Sequence, residues 1–251
     1  NCSCIIDDNW SKEDILKLTF AKKEDIELKI NGLIQEKSNI TNFCLSLLKK
    51  AKLLPCAIMS IVSNIDSNNI KKWAMKNDLM YLDVDDIEFK SEVKNDDLEI
   101  IVKTHLPIKE TNDCDFVLFR SKSNLSEYFC LLIGKTRALL NDQKLNFVPT
   151  VRIHSQCITG DLLDSLKCDC GEQLKMSLKH MVKNGEGILI YLSQEGRNIG
   201  LINKLRAYNL QEKGLDTVDA NITLGFDEDE RNYDIAIEIL KFFEINKINF
   251  I

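Results

Sequence analysis

The fold of this chain is decided by residues 171–208, which read GEQLKMSLKHMVKNGEGILIYLSQEGRNIGLINKLRAY. The part up to Gly185 has the apolar spacing of an amphipathic helix, and GILIYLS at 187–193 is a short apolar run of the kind that forms a buried strand. A glycine-containing loop follows, and a second helix is predicted from Leu201. Helices alternating with short apolar strands indicate an α/β arrangement.

The sequence on both sides continues this pattern. Four strand-like runs precede it, namely EIIVKTHLPI (99–108), DFVLFRS (115–121), YFCLLIGKTRALL (128–140) and FVPTVRIHS (147–155). After it we predict a polar loop, a helix in RNYDIAIEILKFFE (231–244) and a last strand in INKINFI (245–251).

The first part of the chain differs in composition. Of ten glycines, only Gly32 and Gly134 precede residue 150. Helix-like segments at 11–20, 42–54 and 69–79, with strand-like runs at 56–64 and 80–86, predict a small βαβ-like unit. The polar run KSEVKNDD (90–97) is the candidate linker, so we predict two domains, 1–98 and 99–251.

Composition excludes several classes of protein. The net charge of −6 argues against a general nucleic-acid surface, because binding to a phosphate backbone needs an excess of Lys and Arg. No apolar run approaches the roughly 20 residues that span a bilayer, so no membrane partner is expected. Nine cysteines without a secretory leader predict reduced thiols and a cytoplasmic location.

Three of the cysteines form a cluster in VRIHSQCITGDLLDSLKCDCGEQL (151–174). Cys157, Cys168 and Cys170 give the spacing C-x10-C-x-C, which favours zinc over an internal disulfide. Three protein ligands are typical of catalytic zinc, whereas structural sites take four. His154 could supply a fourth ligand, so spacing alone leaves both kinds of site open.

Two charged motifs follow the cysteines. In QEGRNIG (194–200) two glycines precede the start of a helix. The free N–H groups of a helix start favour anion binding, and the guanidinium of Arg197 could donate two parallel hydrogen bonds to phosphate oxygens. The alternative is an ordinary loop with a surface arginine, followed by a helix whose Lys204 simply faces solvent. The acidic run in LGFDEDER (224–231) is either a solvated helix start or a group of carboxylates for nucleotide-bound Mg²⁺.

Taken together, these motifs closely resemble GTP cyclohydrolase II, which opens the riboflavin pathway. The matching segments are VRIHSQCITGD, SLKCDCGEQL, QEGRNIGLINKLRAY, DTVDAN and LGFDEDER, within residues 99–251. The resemblance implies a mixed sheet flanked by helices, GTP as the substrate and a homodimer. It also implies zinc-dependent hydrolysis of GTP to 2,5-diamino-6-(5-phosphoribosylamino)pyrimidin-4-one, formate and pyrophosphate.

The resemblance also assigns roles to residues. It implies one zinc on Cys157, Cys168 and Cys170, and Mg²⁺ with the nucleotide. The implied GTP contacts are Arg152, Ile153, His154, Ser155, Gln156, Gln173, Glu195, Gly196, Arg197 and Thr217. Asp229 would accept a proton, Tyr208 would support the reacting guanine, and Arg231 would attack the α-phosphorus. Because a guanidinium holds its proton so strongly, a transition-state clamp is the alternative role of Arg231.

Two departures from family patterns bear on activity. The front part resembles the end of dihydroxybutanone-phosphate synthase, but SNITNF (38–43) stands where that family has Gly-His-Thr, so we expect a degraded remnant. The cyclohydrolase pattern continues beyond INKINFI, so we expect a C-terminally truncated domain. The alternative function is therefore an inactive zinc- and nucleotide-binding homologue that acts as a structural or dimerisation partner.

Overall fold

A computed structural model describes residues 3–4, 10–19, 33–34, 39–60, 62–83, 98–122 and 125–251. The chain divides into two compact units, the first combining Asn1–Ser91 with Arg206–Glu228 and the second combining Glu92–Leu205 with Asp229–Ile251. The candidate linker at 90–97 lies outside the described residues, and the boundary expected near residue 98 stays a prediction. In the described part of the chain, no helix combines the length and the apolar character needed to cross a bilayer.

The secondary structure is as follows. The strands are β1 (Ser3–Cys4), β2 (Leu33–Ile34), β3 (Leu98–His105), β4 (Cys114–Ser121), β5 (Glu127–Gly134), β6 (Thr150–Ser155), β7 (Glu186–Leu192) and β8 (Asn249–Phe250). The α-helices are α1 (Lys12–Thr19), α2 (Asn39–Lys50), α3 (Ile70–Lys76), α4 (Cys170–Asn184), α5 (Leu201–Gln211), α6 (Thr217–Thr223) and α7 (Asp234–Phe242). Other helical turns are Ser67–Asn69, Lys135–Asn141 and the π-type turn Ile158–Leu162.

A mixed sheet forms the centre of the second unit. Its strand order is β3-β4-β5-β7-β6-β8. The pairs from β3 through β5 to β7 are antiparallel, whereas β6 runs parallel to both β7 and β8. The α/β class and the mixed sheet flanked by helices are therefore confirmed.

Helices cover this sheet on both faces. Side chains alternate between the two faces of a strand, so Leu189 and Ile190 of β7 point to opposite layers. Leu189 packs in one apolar cluster with Met181 of α4, and Ile190 packs in the other with Ile239 of α7. Burial of each such side chain contributes roughly 1.5–3 kcal/mol. The continuous apolar run of β7 is thus explained by helices on both sides.

The first unit contains β1, β2, α1 to α3, α6 and the end of α5. The loop after α6 lies against α2, because Lys49 lies 3.4 Å from a carboxylate oxygen of Asp227 and 5.8 Å from the ring centroid of Phe226. Pro55 approaches the same loop so closely that a Cβ on Gly225 would lie 2.8 Å from its ring.

Three sequence predictions for this unit are wrong. The runs at 56–64 and 80–86, expected as strands, form no strand in their described residues. Ile58 and Met59 are exposed there, and strands are not stable without neighbours to pair with. The segment expected as a polar loop contains α6, whose start is capped by Asp216 through a hydrogen bond from the Asp219 N–H at 2.8 Å. An aspartate just before a helical run is a recognisable start signal.

Candidate active site

The site lies at the carboxyl ends of two parallel strands. Ser155, the last residue of β6, pairs with Leu192, the last residue of β7. The cysteine loop follows β6 and the QEGRNIG loop follows β7, so both start from the same sheet edge. Ligands of open α/β sheets bind at this kind of edge.

Three thiols converge there. The Sγ atoms of Cys157, Cys168 and Cys170 lie within 4.8 Å of one another, and those of Cys157 and Cys168 are 3.5 Å apart. Cys157 precedes the turn Ile158–Leu162 and accepts a hydrogen bond from the Gly160 N–H at 3.3 Å, while Cys170 begins α4. The turn and the helix start therefore bring together ligands that are separated in sequence.

The packing around Gly160 tests whether these thiols suit a metal. A Cβ on this glycine would lie 2.9 Å from Cys168 Sγ and 3.1 Å from Cys157 Sγ. Zinc–sulfur bonds of about 2.3 Å in a tetrahedral site place ligand sulfurs about 3.8 Å apart. The sulfur spacing and the lack of room for a side chain both fit one zinc ion held by three thiolates.

His154 does not join this cluster. Its Nε2 atom lies 3.0 Å from Asp161 Oδ1, and its ring stacks on Tyr191 with centroids 5.5 Å apart. In the described parts of the chain, the three cysteines are the one group of at least three potential metal ligands that converges. The arrangement thus favours the three-ligand alternative over a closed site completed by His154.

Asp161 ties the cysteine loop to the sheet. Besides meeting His154, it accepts hydrogen bonds from the Tyr191 hydroxyl at 2.7 Å and from the Cys157 N–H at 3.0 Å. Burial alone would raise the pKa of Asp161, but the hydrogen bonds from His154 and Tyr191 outweigh it and lower the pKa. Asp161 thus remains an anion that fixes the backbone of a ligand.

A buried ion pair between Lys204 and Glu195 lies next to Cys157. Lys204, for which the sequence left a solvent-facing position open, is only 8% exposed. Its Nζ atom donates to Cys157 Sγ at 2.9 Å and to Glu195 Oε1 at 2.7 Å, and Glu195 Oε2 accepts from the Ile158 N–H at 2.7 Å. Sequence reasoning missed Lys204, because a lysine on an exposed-looking helix gives no sign of what it faces.

The surroundings shift the pKa values of Cys157 and Cys170 in opposite directions. Burial would raise the pKa of Cys157, but hydrogen bonds from Lys204 and its neighbours lower it. For Cys170, burial and the neighbouring sulfur atoms raise the pKa. Without a bound metal, a thiolate therefore forms more readily at Cys157 than at Cys170, and a divalent metal would offset the cost of forming the other thiolates.

The QEGRNIG loop is compact. Gly196, Arg197 and Asn198 all have positive φ, at 64°, 56° and 73°. The amides of Asn198, Ile199 and Gly200 donate to carbonyl oxygens of the same loop. Because these amides near the helix start have partners, anion binding by this loop stays a prediction that depends chiefly on Arg197.

Hydrogen bonds join this loop to Glu230 and Asn232, at the end of the LGFDEDER motif and just after it. The Gln194 side chain donates to the Asn232 carbonyl, and the Asn232 N–H donates back at 2.9 Å. Asn198 Nδ2 donates to the Glu230 carbonyl at 3.0 Å, and the Glu230 N–H donates to the Arg197 carbonyl at 3.2 Å. Two motifs distant in sequence therefore form one framework, and neither Gln194 nor Asn198 was predicted to matter.

Asp229 and Arg231 form an ion pair at the end of this framework. Arg231 Nε lies 2.9 Å from Asp229 Oδ1 and 3.0 Å from Oδ2. The hydrogen bonds from Arg231 lower the pKa of Asp229, and those to Asp229 raise the pKa of Arg231. Both side chains are thus held in their charged forms.

A family model described as GTP cyclohydrolase II matches residues 99–251. The chain belongs to the GTP cyclohydrolase II family. It is 35% identical over 226 residues to the riboflavin biosynthesis protein RibBA of Staphylococcus haemolyticus, covering 88% of this chain and 54% of that protein. It is 38% identical over 196 residues to GTP cyclohydrolase-2 of Azospirillum brasilense, covering 78% of this chain and 49% of that protein.

A shorter match is closer in sequence. RibBA of Staphylococcus epidermidis is 49% identical over 153 residues, which cover 61% of this chain and 37% of that protein. The chain spans about half the length of the first two relatives. The family match covers the cyclohydrolase part, and the synthase-like origin of the first 98 residues stays a prediction.

The residues that the GTP cyclohydrolase II resemblance marks as GTP contacts lie in several settings. Arg152 on β6 donates through Nη2 to Gln173 Oε1 at 2.7 Å, and its Nε is buried without a hydrogen-bond partner among the described residues. The others in the second unit are Ile153, His154, Ser155, Gln156, Glu195, Gly196 and Arg197. Thr217, at the start of α6, belongs to the first unit, as does Tyr208 on α5, the implied support for the reacting guanine. The roles of all these residues stay predictions.

Proposed function

We propose that this chain is a zinc-dependent GTP cyclohydrolase II that converts GTP to 2,5-diamino-6-(5-phosphoribosylamino)pyrimidin-4-one, formate and pyrophosphate. The observation that carries the proposal is the cluster of three Sγ atoms within 4.8 Å of one another. Membership of the family supports the substrate and the reaction. The zinc, the products and the activity of this chain are the parts that experiment must test.

Cys157, Cys168 and Cys170 would hold the zinc. Bound there, zinc would supply Lewis-acid chemistry and a water of lowered pKa, as hydrolysis of the guanine ring requires. Asp161 would keep Cys157 in place through its backbone N–H, and Gly160 would leave room for the three sulfur atoms. The protein's own contribution is a fixed, half-buried set of ligands at the sheet edge.

Binding of the nucleotide would fall to groups around this cluster. Arg152 and Gln173 are hydrogen-bonded to each other at 2.7 Å and would orient the substrate together. Arg197 would attract the triphosphate, with Mg²⁺ entering as part of the nucleotide complex. The homodimer and the cytoplasmic location remain predictions, as does a packing role for the synthase-like remnant.

For Arg231 we propose a clamp on developing negative charge rather than a nucleophile. Its hydrogen bonds to Asp229 raise the pKa of the guanidinium, and a nucleophilic arginine must lose that proton. The same pairing lowers the pKa of Asp229 and weakens it as a base in this conformation. A guanidinium that is oriented by a carboxylate is well suited to hydrogen-bonding phosphate oxygens.

The test is an assay for formate and the diaminopyrimidine product. The zinc-loaded chain should release both from GTP and Mg²⁺, and removal of zinc by a chelator should stop the release. Cys168→Ser should abolish formate release while GTP still binds, whereas Cys56→Ser, at an exposed cysteine, should retain activity. Equal turnover by a zinc-free protein would refute the mechanism, and no turnover by the folded, zinc-loaded chain would refute the function.

A further inference from the structure

We propose that Lys204 is a positioning residue of the three-cysteine site, fixing and partly neutralising the Cys157 thiolate through an N–H···S hydrogen bond. The inference deepens the proposed function and rests on it for the identity of the metal. It gives a role to a buried ammonium that neither the cysteine spacing nor the charged motifs pointed to.

The Lys204 ammonium donates hydrogen bonds to two buried acceptors. Its Nζ atom lies 2.9 Å from Cys157 Sγ and 2.7 Å from Glu195 Oε1. Glu195, itself 5% exposed, accepts the Ile158 N–H at 2.7 Å through its other oxygen. Glu195 thus connects the ammonium to the residue that follows Cys157, so sulfur, ammonium and backbone are held as one unit.

The charges explain why the ammonium is placed at this sulfur. Burying an ammonium is costly unless it is paired and hydrogen-bonded. Lys204 meets both conditions, and its ammonium lies beside one of the three cysteine ligands. Three thiolates within 4.8 Å repel one another. A cation 2.9 Å from one of them reduces the repulsion that the three thiolates meet when a metal is bound.

The hydrogen bond should also alter the bound metal. Groups that hydrogen-bond to metal ligands orient those ligands and tune their donor strength, and their loss typically costs about 10–100-fold in metal affinity or activity. An N–H···S bond withdraws electron density from sulfur, so that the metal remains a stronger Lewis acid. We therefore expect both the affinity and the spectrum of the bound metal to depend on Lys204.

The variants must avoid leaving a charge buried alone. Lys204→Met by itself would leave Glu195 beside a thiolate, so the informative variant is Lys204→Met/Glu195→Gln, which is neutral and retains an acceptor for the Ile158 N–H. Glu195→Gln alone keeps the ammonium at sulfur. Lys179→Met, at an exposed position of α4, is the matched control.

The first measurement is zinc affinity, by competition with a chromophoric chelator, without GTP. The double variant should bind zinc about 10–100-fold more weakly. Lys179→Met should stay close to the unmodified chain, whereas Glu195→Gln should lose less affinity than the double variant, because one amide oxygen replaces two carboxylate acceptors while the ammonium remains beside the sulfur. Unchanged affinity in a folded double variant would overturn the inference, as would equal losses in Glu195→Gln and the double variant, which would indicate a purely structural pair.

The second measurement is the absorption of the cobalt(II)-substituted protein. Loss of the N–H···S bond should move the sulfur-to-cobalt charge-transfer band of the double variant to longer wavelength. If the double variant does not fold, lysine ammonium NMR of the unmodified chain decides. A slowly exchanging ammonium signal should then move when zinc is added, and the absence of such a signal would overturn the inference.

These results separate the two proposals. If the unmodified chain binds zinc, the double variant loses affinity and neither releases formate, the proposed function fails and the role of Lys204 stands. If the unmodified chain releases formate while the double variant has the same zinc affinity and cobalt spectrum, the proposed function stands and this inference fails. If the unmodified chain binds no zinc, both fail.

Discussion

The side chain of Gln194 and the backbone of Asn232 are joined by a reciprocal pair of hydrogen bonds. The Gln194 amide donates to the Asn232 carbonyl, and the Asn232 N–H donates to Gln194 Oε1 at 2.9 Å. Gln194 is buried, at 6% exposure. This pair of hydrogen bonds attaches the segment containing Asp229 and Arg231 to the loop that follows β7.

Truncation of Gln194 is therefore expected to impair both stability and turnover. Gln194→Ala removes both hydrogen bonds from the partly buried backbone of Asn232, which costs about 1–3 kcal/mol in the free energy of unfolding. Formate release should fall because Arg231 loses its fixed position, while zinc affinity should stay the same. Urea unfolding and the formate assay test this, with Gln143→Ala at an exposed position as the control. Retained turnover despite the lower stability would show that the contact does not position Arg231.

Local patterns in the sequence were enough to predict most of the second unit. Alternating apolar strands and helices identified the sheet, and the spacing of Cys157, Cys168 and Cys170 identified a convergent cluster. These signals are local, because strand and helix periodicity and ligand spacing lie within a few dozen residues.

Contacts between distant segments could not be predicted in this way. Lys204 and Cys157 are 47 residues apart, and Gln194 and Asn232 are 38 apart. Their partners are fixed by the order of the strands, which a single sequence does not reveal. The strands expected at 56–64 and 80–86 failed for a related reason, since an apolar run forms a strand only where a neighbour pairs with it.

Gly160 is expected to be essential for metal binding. In Gly160→Ala the new methyl group would lie 2.9 Å from Cys168 Sγ and 3.1 Å from Cys157 Sγ, so the thiols must move apart. Zinc affinity, measured by chelator competition, should fall at least about tenfold, as for other disturbances around metal ligands.

Gly185→Ala provides the matched contrast. Gly185 has φ of +71°, and nothing lies within 4 Å of the position that the new methyl group would take, so the substitution strains the end of α4 without crowding the thiols. It should lower the free energy of unfolding by about 1–2 kcal/mol and leave zinc affinity unchanged. Equal zinc affinity in both variants would show that the packing around Gly160 is not what shapes the site.

Asp115 should make stability depend on pH. It accepts hydrogen bonds from Arg137 Nε at 2.7 Å and lies 3.0 Å from His105 Nδ1. Burial alone would raise the pKa of Asp115, but these partners outweigh it and lower the pKa. A carboxylate with a lowered folded-state pKa stabilises the fold above its unfolded value of about 3.9, and this contribution is lost as the pH falls through the folded value.

The variant Asp115→Asn should thus be less stable than the unmodified chain by about 1–3 kcal/mol near neutral pH. The difference should shrink as the pH falls below about 4, because the unmodified carboxylate then takes up its proton. Urea unfolding across this range measures it, with Glu13→Gln at an exposed carboxylate as the control. A difference that did not change with pH would assign the loss to packing rather than to charge.

The ion pair of Arg231 with Asp229 leads to a prediction about the chemistry itself. The pairing raises the pKa of Arg231, so the guanidinium stays protonated and, in the proposed function, would hold phosphate oxygens. Arg231→Ala should lower kcat about 100–1000-fold, the loss typical of one transition-state donor. Arg231→Lys should recover part of this loss, because it keeps the charge without the fork.

A direct readout distinguishes this clamp from a nucleophile. Attack by Arg231 on the α-phosphorus would leave the nucleotide covalently attached to its side chain. Acid-quenched turnover mixtures, digested and examined by mass spectrometry, should contain no peptide in which Arg231 carries a nucleotide. Asp229 is the paired carboxylate that could take a proton from Arg231, so Asp229→Asn is the control in which attack by Arg231 should be hardest. An adduct in either protein would assign the nucleophilic role to Arg231.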